Sequence, residues 1–512
     1  MLATAKKKGS RVWLRGAAIA MVGSGLALAA ACSSAGAPTM ASPDAGTIAD
    51  SAPAVDTGVG STDAGVTGPT PTVLALPADA HARLFGVTYT PDGSILAVGA
   101  AGGTAANADH ALLLVKLTSK GQLDTTFGGK GYVTKNVSTG AAGEVFRGIV
   151  VQTQGANAGK IVVAGAAEHD QTNPAATTRD VVVVRFKADG SIDDGFGTAG
   201  VARFPLGDGV NVQQWGLAKY ADDDLLVTGA RLPAGAGADA GTINELVAFR
   251  LKGADGALAT FGQGGVFSLG LPQRLSPRTA TILADNSAVL ASYSNPGSGN
   301  RPILAKITGA GAADPAFGTA GVYYPETEVP GFPAGHSVEA YGADLQGDKF
   351  VTSGYGKESS ANTVDGWVSI RVTGDGKLDS TYGTSGHVFF LVNGQPAASR
   401  AVAVLPDQRV MMLGGASPPK PASDPATQAQ HAAIAILEPN GAFDPSFSKA
   451  GPKLYDLGGP ATGRAAHFFW AAAISPDKKT VAVVGVKGGV LADAGVSAGA
   501  DQAAVLLLPA VK

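Results

Sequence analysis

The chain has 512 residues, of which 72 are glycine, 15% are charged and 6% are aromatic, and its formal charge is −3. So little charge and so much glycine suit short, closely packed strands joined by tight turns, and exclude a helical bundle or a nucleic-acid binder. The single cysteine, Cys32, excludes disulfides, cysteine–zinc sites and thiol catalysis elsewhere in the chain.

Residues 1–31 read as an export signal. Lys6, Lys7, Lys8, Arg11 and Arg15 form a basic start, and Ala17 to Ala31 is an apolar stretch too short for a comfortable membrane span. It ends in Leu28-Ala29-Ala30-Ala31-Cys32, which resembles the bacterial lipobox, with Ala29 where the usual pattern prefers Leu. The resemblance implies diacylation at Cys32 and a membrane-anchored, extracytoplasmic lipoprotein. Ser33 after the cysteine points to the outer membrane or cell surface. Losing the signal removes five basic residues and no acidic one, so the remainder is more acidic than the whole chain. That again argues against nucleic acid. Residues 32–70, rich in Ala, Gly, Ser, Thr, Pro and Asp and without an aromatic, are expected to form a disordered tether.

From residue 71 to 512 one short phrase recurs. Its clearest copies run Leu123-Asp124-Thr125-Thr126-Phe127-Gly128, Ile192-Asp193-Asp194-Gly195-Phe196-Gly197 and Leu378-Asp379-Ser380-Thr381-Tyr382-Gly383. Weaker copies carry Phe261-Gly262, Phe317-Gly318 and, after Asp444, Phe447-Ser448. The aromatics are 69, 65, 56, 65 and 65 residues apart. Each unit shows an apolar run, a polar turn such as Pro91-Asp92-Gly93, and a strongly apolar strand such as Ile95–Gly99. A third strand such as Ala111–Leu117 follows, then the phrase and a fourth strand such as Gly386–Phe390. Proline fixes φ and glycine accepts the positive φ of such a hairpin turn. Four strands per unit is the content of a propeller blade. First and second strands pair near residues 85, 148, 216, 280, 339, 402 and 472, which predicts an all-β, seven-bladed β-propeller. The last unit ends after its third strand, Ala503–Leu508, and the unassigned segment Thr72–Leu76 is expected to supply the missing fourth and close the ring.

The units resemble the delta-60 repeat family, most closely at Pro91-Asp92-Gly93-Ser94-Ile95 and from Arg185 through Val201. The resemblance covers about residues 80–510 and implies a propeller-like repeat of bacterial envelope proteins with no assigned reaction.

Candidate chemistry is sparse. The repeated Asp124, Asp193, Asp379 and Asp444 invite a calcium reading, but the nearest run, Asp189 to Gly195, lacks the alternating ligand spacing of a calcium loop. Asp residues that accept N–H bonds within their own turns fit better. No cofactor is expected, and calcium stays open as the alternative. The phrase aromatics are expected to anchor each blade to the next. No nucleophile elbow or phosphate loop appears in the repeat region, and the seven histidines include no helically spaced metal pair. Loop histidines of different blades meeting on the ring axis remain open. The most variable segments, Ala100–Asp109, Ala166–Arg179, Arg231–Asn244, Ala416–Gln430 and Lys487–Asp501, all fall between second and third strands, so they emerge on one face. The sequence favours a non-catalytic binding or scaffold module with an envelope protein or glycan as partner. A propeller enzyme (hydrolase, lyase or dehydrogenase) with its site in the central channel, and a glycan-binding module using Trp215, Trp367 or Trp470, are the alternatives.

Overall fold

The second strand is a nearly continuous apolar run in blades 1, 2, 6 and 7, and elsewhere also admits small buried Ser and Thr, because both of its faces are buried. Ile95 and Ala97 pack with the last blade, while Leu96 and Val98, on the opposite face, pack with the second. Sheets stacked face to face in this way need the period-2 alternation to be apolar on both sides. The computed structural model describes residues 69–76, 81–102, 110–138, 144–168, 179–204, 211–232, 245–271, 274–295, 299–324, 335–418, 430–458, 464–488, 490–491, 497–498 and 501–512. The expected signal at 1–31, Cys32, nearly all of the 32–70 tether and most of the five variable segments lie outside the described residues.

Seven antiparallel sheets form the ring, each with four strand positions. In blades 1–6 these run in sequence order from the axis outward, the innermost position of blade 5 being split into two short strands, and in blade 7 the outermost strand comes from the start of the ring. In blade 1 these are His81–Tyr89, Ile95–Gly102, His110–Leu117 and Tyr132–Lys135. The first strands of the later blades are Val145–Val151, Asn211–Lys219, Arg274–Ile282, the pair Ser337–Val338 and Gly342–Gln346, Ala397–Val404, and Phe468–Ile474. Each first strand touches the first strand of the next blade, and the last touches the first, so these seven line the axis. A small additional sheet of Arg464–Ala465, Val490–Leu491 and Ser497–Ala498 sits beside blade 7.

Closure occurs as the sequence predicts, over a shorter length. Thr72–Val73 pairs with Val505 and Ala504 as the outermost strand of blade 7. The Leu74 N–H then donates to the Ala503 carbonyl at 2.8 Å, and the Leu74 side chain is buried in the seam between blades 7 and 1. Each of the seven seams holds its own apolar cluster, so the core is a set of radial layers, one between each pair of blades.

The candidate functional site

The repeated phrase is a seam device. Gly128 N–H donates to the Asp189 carbonyl of the next blade at 3.0 Å. Gly197, Gly262, Gly318 and Gly383 do the same to Asp255, Ala310, Asp375 and Asn440, each at 2.8 Å. The preceding aromatic lies under the glycine of that neighbouring turn. A Cβ on Gly190, whose φ is +89°, would meet Phe127 Cζ at 2.9 Å, so both the backbone conformation and the close approach require glycine there. Phe127, Phe196, Phe261, Phe317 and Tyr382 are all buried. At the sixth copy Ser448 replaces glycine, its N–H turns back to the Asp444 carbonyl at 2.9 Å, and Phe447 is only partly buried.

The phrase aspartates bind their own turns. Asp124, Asp314, Asp379 and Asp444 accept the backbone N–H two residues on, at 3.2, 3.0, 3.2 and 2.9 Å. Each also pairs with a basic residue: Asp124 with Lys116, Asp193 with Arg185, Asp314 with Lys306, Asp379 with Arg371 and Asp444 with Arg409. Arg185 and Arg371 then stack on Phe196 and Tyr382, 4.6 and 4.7 Å from the ring centroids. Burial pushes the Asp379 carboxyl up, but hydrogen bonds from Lys349 and Thr381 and the Arg371 charge outweigh it and hold the pKa well below the usual carboxylate range. Asp444 falls to about 2 as hydrogen bonds from Ser446, Arg409 and Lys512 overcome its burial. Blade 3 has Ala259 where the aspartate would stand, and there Arg250 pairs with Asp222 and Asp224 at 2.8 and 3.0 Å and stacks on Tyr220. Among the described residues no group of three or more His, Cys, Asp and Glu side chains gathers to hold a metal.

The axis is built from a different feature. Every first strand carries one residue more than its partner strand. The extra residue lies at Phe85, Arg147, Trp215, Arg278–Thr279, Arg400 and Trp470 in blades 1, 2, 3, 4, 6 and 7. In blade 5 it falls between Val338 and Gly342, at the stretch that contains Tyr341. A bulge of this kind re-aims its side chain and tightens the local twist. A small residue follows closely, and the close passage of neighbouring first strands explains it: a Cβ on Gly86 would lie 2.2 Å from the Arg147 carbonyl oxygen.

Arginine stands at this position in the even blades and an aromatic residue in the odd ones. Arg147 lies over Phe85 and Trp470, 4.9 and 5.5 Å from their centroids. Arg278 and Arg400 share the Tyr341 ring, at 4.1 and 4.8 Å, and Arg400 also reaches Trp470 at 5.5 Å. Phe85 and Trp470, the adjacent aromatics of blades 1 and 7, meet edge to face at 5.4 Å. An Arg278 terminal nitrogen donates to the Tyr293 and Tyr341 hydroxyls at 3.0 and 2.9 Å, and one from Arg400 donates to Tyr355 at 3.3 Å. Arg278 and Arg400 are buried and Arg147 is half-buried. Burial lowers the Arg147 pKa, and the like charges of Arg278 and Arg400 lower it further. A guanidinium starts so high that it stays charged at neutral pH, so the shift registers the cost of burying Arg147 first and the nearby positive charges second. Glu339 adds one carboxylate whose charge acts on Arg278 and Tyr355.

The described histidines do not form this cluster. His81 and His110 pair within blade 1, with ring centroids 6.5 Å apart, and His431 and His467 pair between blades 6 and 7 at 6.3 Å. Trp367 is fully buried, against Phe390, and offers no surface to a glycan. Trp470 belongs to the axial collar that the bulge residues form, with Arg147 and Arg400 over its ring.

Ring, blades and strand closure define a seven-bladed β-propeller of repeated units. The family model described as "Domain of unknown function (DUF5122) beta-propeller" matches residues 90–127 and 159–196, which in blades 1 and 2 run through the second and third strands to the phrase aromatic. No curated protein matches the chain. Among solved structures, a protein of unknown function from Dyadobacter fermentans is 12% identical, covering 86% of this chain and 98% of its own, with a TM-score of 0.41. An alpha-L-arabinofuranosidase from Fusarium graminearum is 9% identical over 86% and 96%, with a TM-score of 0.37. The β-propeller domain of the Trilobed protease from Pyrococcus furiosus is 10% identical over 85% and 98%, with a TM-score of 0.39.

Proposed function

We propose that this chain is an envelope lipoprotein of the delta-60 repeat kind, held at the outer membrane or cell surface by a lipid on Cys32. Its propeller acts as a non-catalytic binding or scaffold module. One observation carries the reading. The repeated polar residues are engaged in the seams, whereas the charged residues that alternate from blade to blade converge on the axis as arginines. Arginine holds its charge and exchanges protons poorly, so such a site recognises charge and does not relay protons. The groups beside it fit the same view. Burial, reinforced by the charge of Glu339, raises the Tyr355 pKa well above its ordinary value, away from the range of a general base.

The test is in-cell cross-linking and pull-down of the full-length protein beside a Cys32→Ala control. A dominant envelope partner or glycan recovered with the wild type and lost in the control supports the tethered module. Release of a chemically altered small molecule by the purified protein would replace it with the enzyme alternative.

A further inference from the structure

The insert between the second and third strands of blade 7 is tied at both ends by a histidine. At its start the Gly488 N–H donates to His467 Nδ1 at 3.2 Å, and at its close the Asp501 N–H donates to His81 Nδ1 at 3.1 Å. A backbone N–H can only donate, so each Nδ1 is bare and each ring is neutral, with its proton on Nε2. Both rings are buried, and each has a second histidine beside it, His431 and His110. Between the two ties the chain supplies Val490–Leu491 and Ser497–Ala498 to the small additional sheet, whose other strand, Arg464–Ala465, lies just before His467.

The two ends differ in what a proton on Nδ1 would meet. His81 Nδ1 lies 3.4 Å from the Asp501 carboxylate, which also pairs with Arg83. A proton there can be donated to that carboxylate, so one bond to Asp501 replaces another and this end stays closed. At His467 the carboxylate is on the other edge of the ring: Asp456, largely exposed, lies 3.8 Å from Nε2. Among the described residues the other groups that act on the ring are His431, from the third strand of blade 6, and Lys487, at the end of the second strand of blade 7. Burial first, and then these two, outweigh Asp456 and pull the His467 pKa down to about 4. Burial lowers His431 as well. With Nδ1 protonated, the imidazolium N–H and the Gly488 N–H confront each other, and a buried donor without an acceptor is costly. Gly488 has little room to turn aside, since a Cβ on it would meet the Ala466 carbonyl oxygen at 2.3 Å.

We propose that His467, with His431 beside it, is an acid-released latch: at neutral pH it holds the start of the blade 7 insert, and protonation frees Gly488 and the small additional sheet while the Asp501 end stays fixed. The latch does not depend on what the propeller binds. The latched ring takes up a proton less readily than a free histidine does. The latch is therefore fully closed above the ordinary histidine value of 6.5 and weakens as pH falls toward about 4. Asp379 and Asp444 in the seams, held below the usual carboxylate range, stay ionised over this window.

Hydrogen–deuterium exchange of the full chain at pH 7.5 and pH 5 tests this, with each rate corrected for the intrinsic pH dependence of exchange and the Gly488 and Asp501 amides read separately. Protection of Gly488 is expected to fall about tenfold or more between the two, while Asp501 keeps its own. His467→Asn, whose side-chain oxygen accepts in place of Nδ1 and takes up no proton, is expected to hold Gly488 equally at both pH values. Unchanged protection of Gly488 in the wild type overturns the proposal. So does a parallel loss at both amides, which marks general loosening in acid. A loss at Gly488 in His467→Asn as steep as in the wild type overturns it too. If His467→Asn does not fold, His431→Gln takes its place and is expected to make the loss shallower. A loss as steep as in the wild type would then exclude the histidine pair and overturn the latch.

Discussion

The seams and the axis of this propeller obey opposite rules. At the seams sameness matters: Phe127, Phe196, Phe261, Phe317 and Tyr382 lie in like surroundings, and the glycine after each bonds the next blade. At the axis the position is constant and its occupant changes, from aromatic to arginine and back. A repeat keeps identical whatever each blade needs in order to stand against its neighbour. Whatever varies under a fixed backbone is free to serve a ligand. The sixth seam shows the first rule by exception: without its glycine, the phrase loses the cross-blade bond, and Lys512 reaches Glu438 and Asp444 at 2.6 and 3.3 Å.

This division can be broken by substitution. Deleting residues 70–80 should have the largest effect, because it removes the outer strand of blade 7 and the buried Leu74 together. Burial of a leucine alone is worth about 2–5 kcal/mol. Denaturant unfolding should show a larger loss than that, and unchanged stability would refute strand closure. Phe196→Ala should cost about 3–5 kcal/mol, and Phe447→Ala at the irregular sixth seam clearly less. Equal losses in the two melts would show that the glycine-bonded seams have no special standing.

Asp379→Asn should cost about 3 kcal/mol, since it leaves Arg371 and Lys349 without their carboxylate. The same aspartates fix an acid limit. Their folded pKa values lie below the ordinary 3.8, and Asp444 sits at about 2. Their contribution is therefore complete above about pH 4 and is lost as pH falls through the folded values. A pH series should show wild-type stability falling between these limits, and Asp379→Asn falling less steeply. The smallest effect belongs to the axis. Arg147→Gln should change ligand-free stability by about 1 kcal/mol or less, in the stabilising direction, because it removes a charge that burial and, less strongly, Arg278 and Arg400 disfavour.

The ring was legible because each blade restates its own rules. Pro91-Asp92-Gly93, the apolar second strands and the phrase fixed the blade count, and the missing fourth strand of the last unit pointed to Thr72–Leu76. That strand proved shorter, Thr72–Val73, with Leu74 turned into the core. The role of the phrase aromatics as anchors, and of its aspartates as turn acceptors, could also be read. Their pairing with Lys116, Arg185, Lys306 and Arg371 was half visible as a basic residue late in the third strand. The collar was not read, for a physical reason. Each of its residues lies in a bulge, where strict alternation assigns the wrong face. A repeat alignment also rewards identity and passes over a position that alternates. The signal was nonetheless present: Phe85-Gly86, Arg147-Gly148, Trp215-Gly216, Tyr341-Gly342, Arg400-Ala401 and Trp470-Ala471 each set a large side chain before a small one in the first strand.

The most direct test of this division is equilibrium unfolding of ligand-free Arg147→Gln beside Phe196→Ala. The account predicts that Arg147→Gln unfolds at or above the wild-type midpoint while Phe196→Ala unfolds well below it. A loss in Arg147→Gln as large as that in Phe196→Ala would make the axial arginines part of the scaffold and contradict the separation of seam from site.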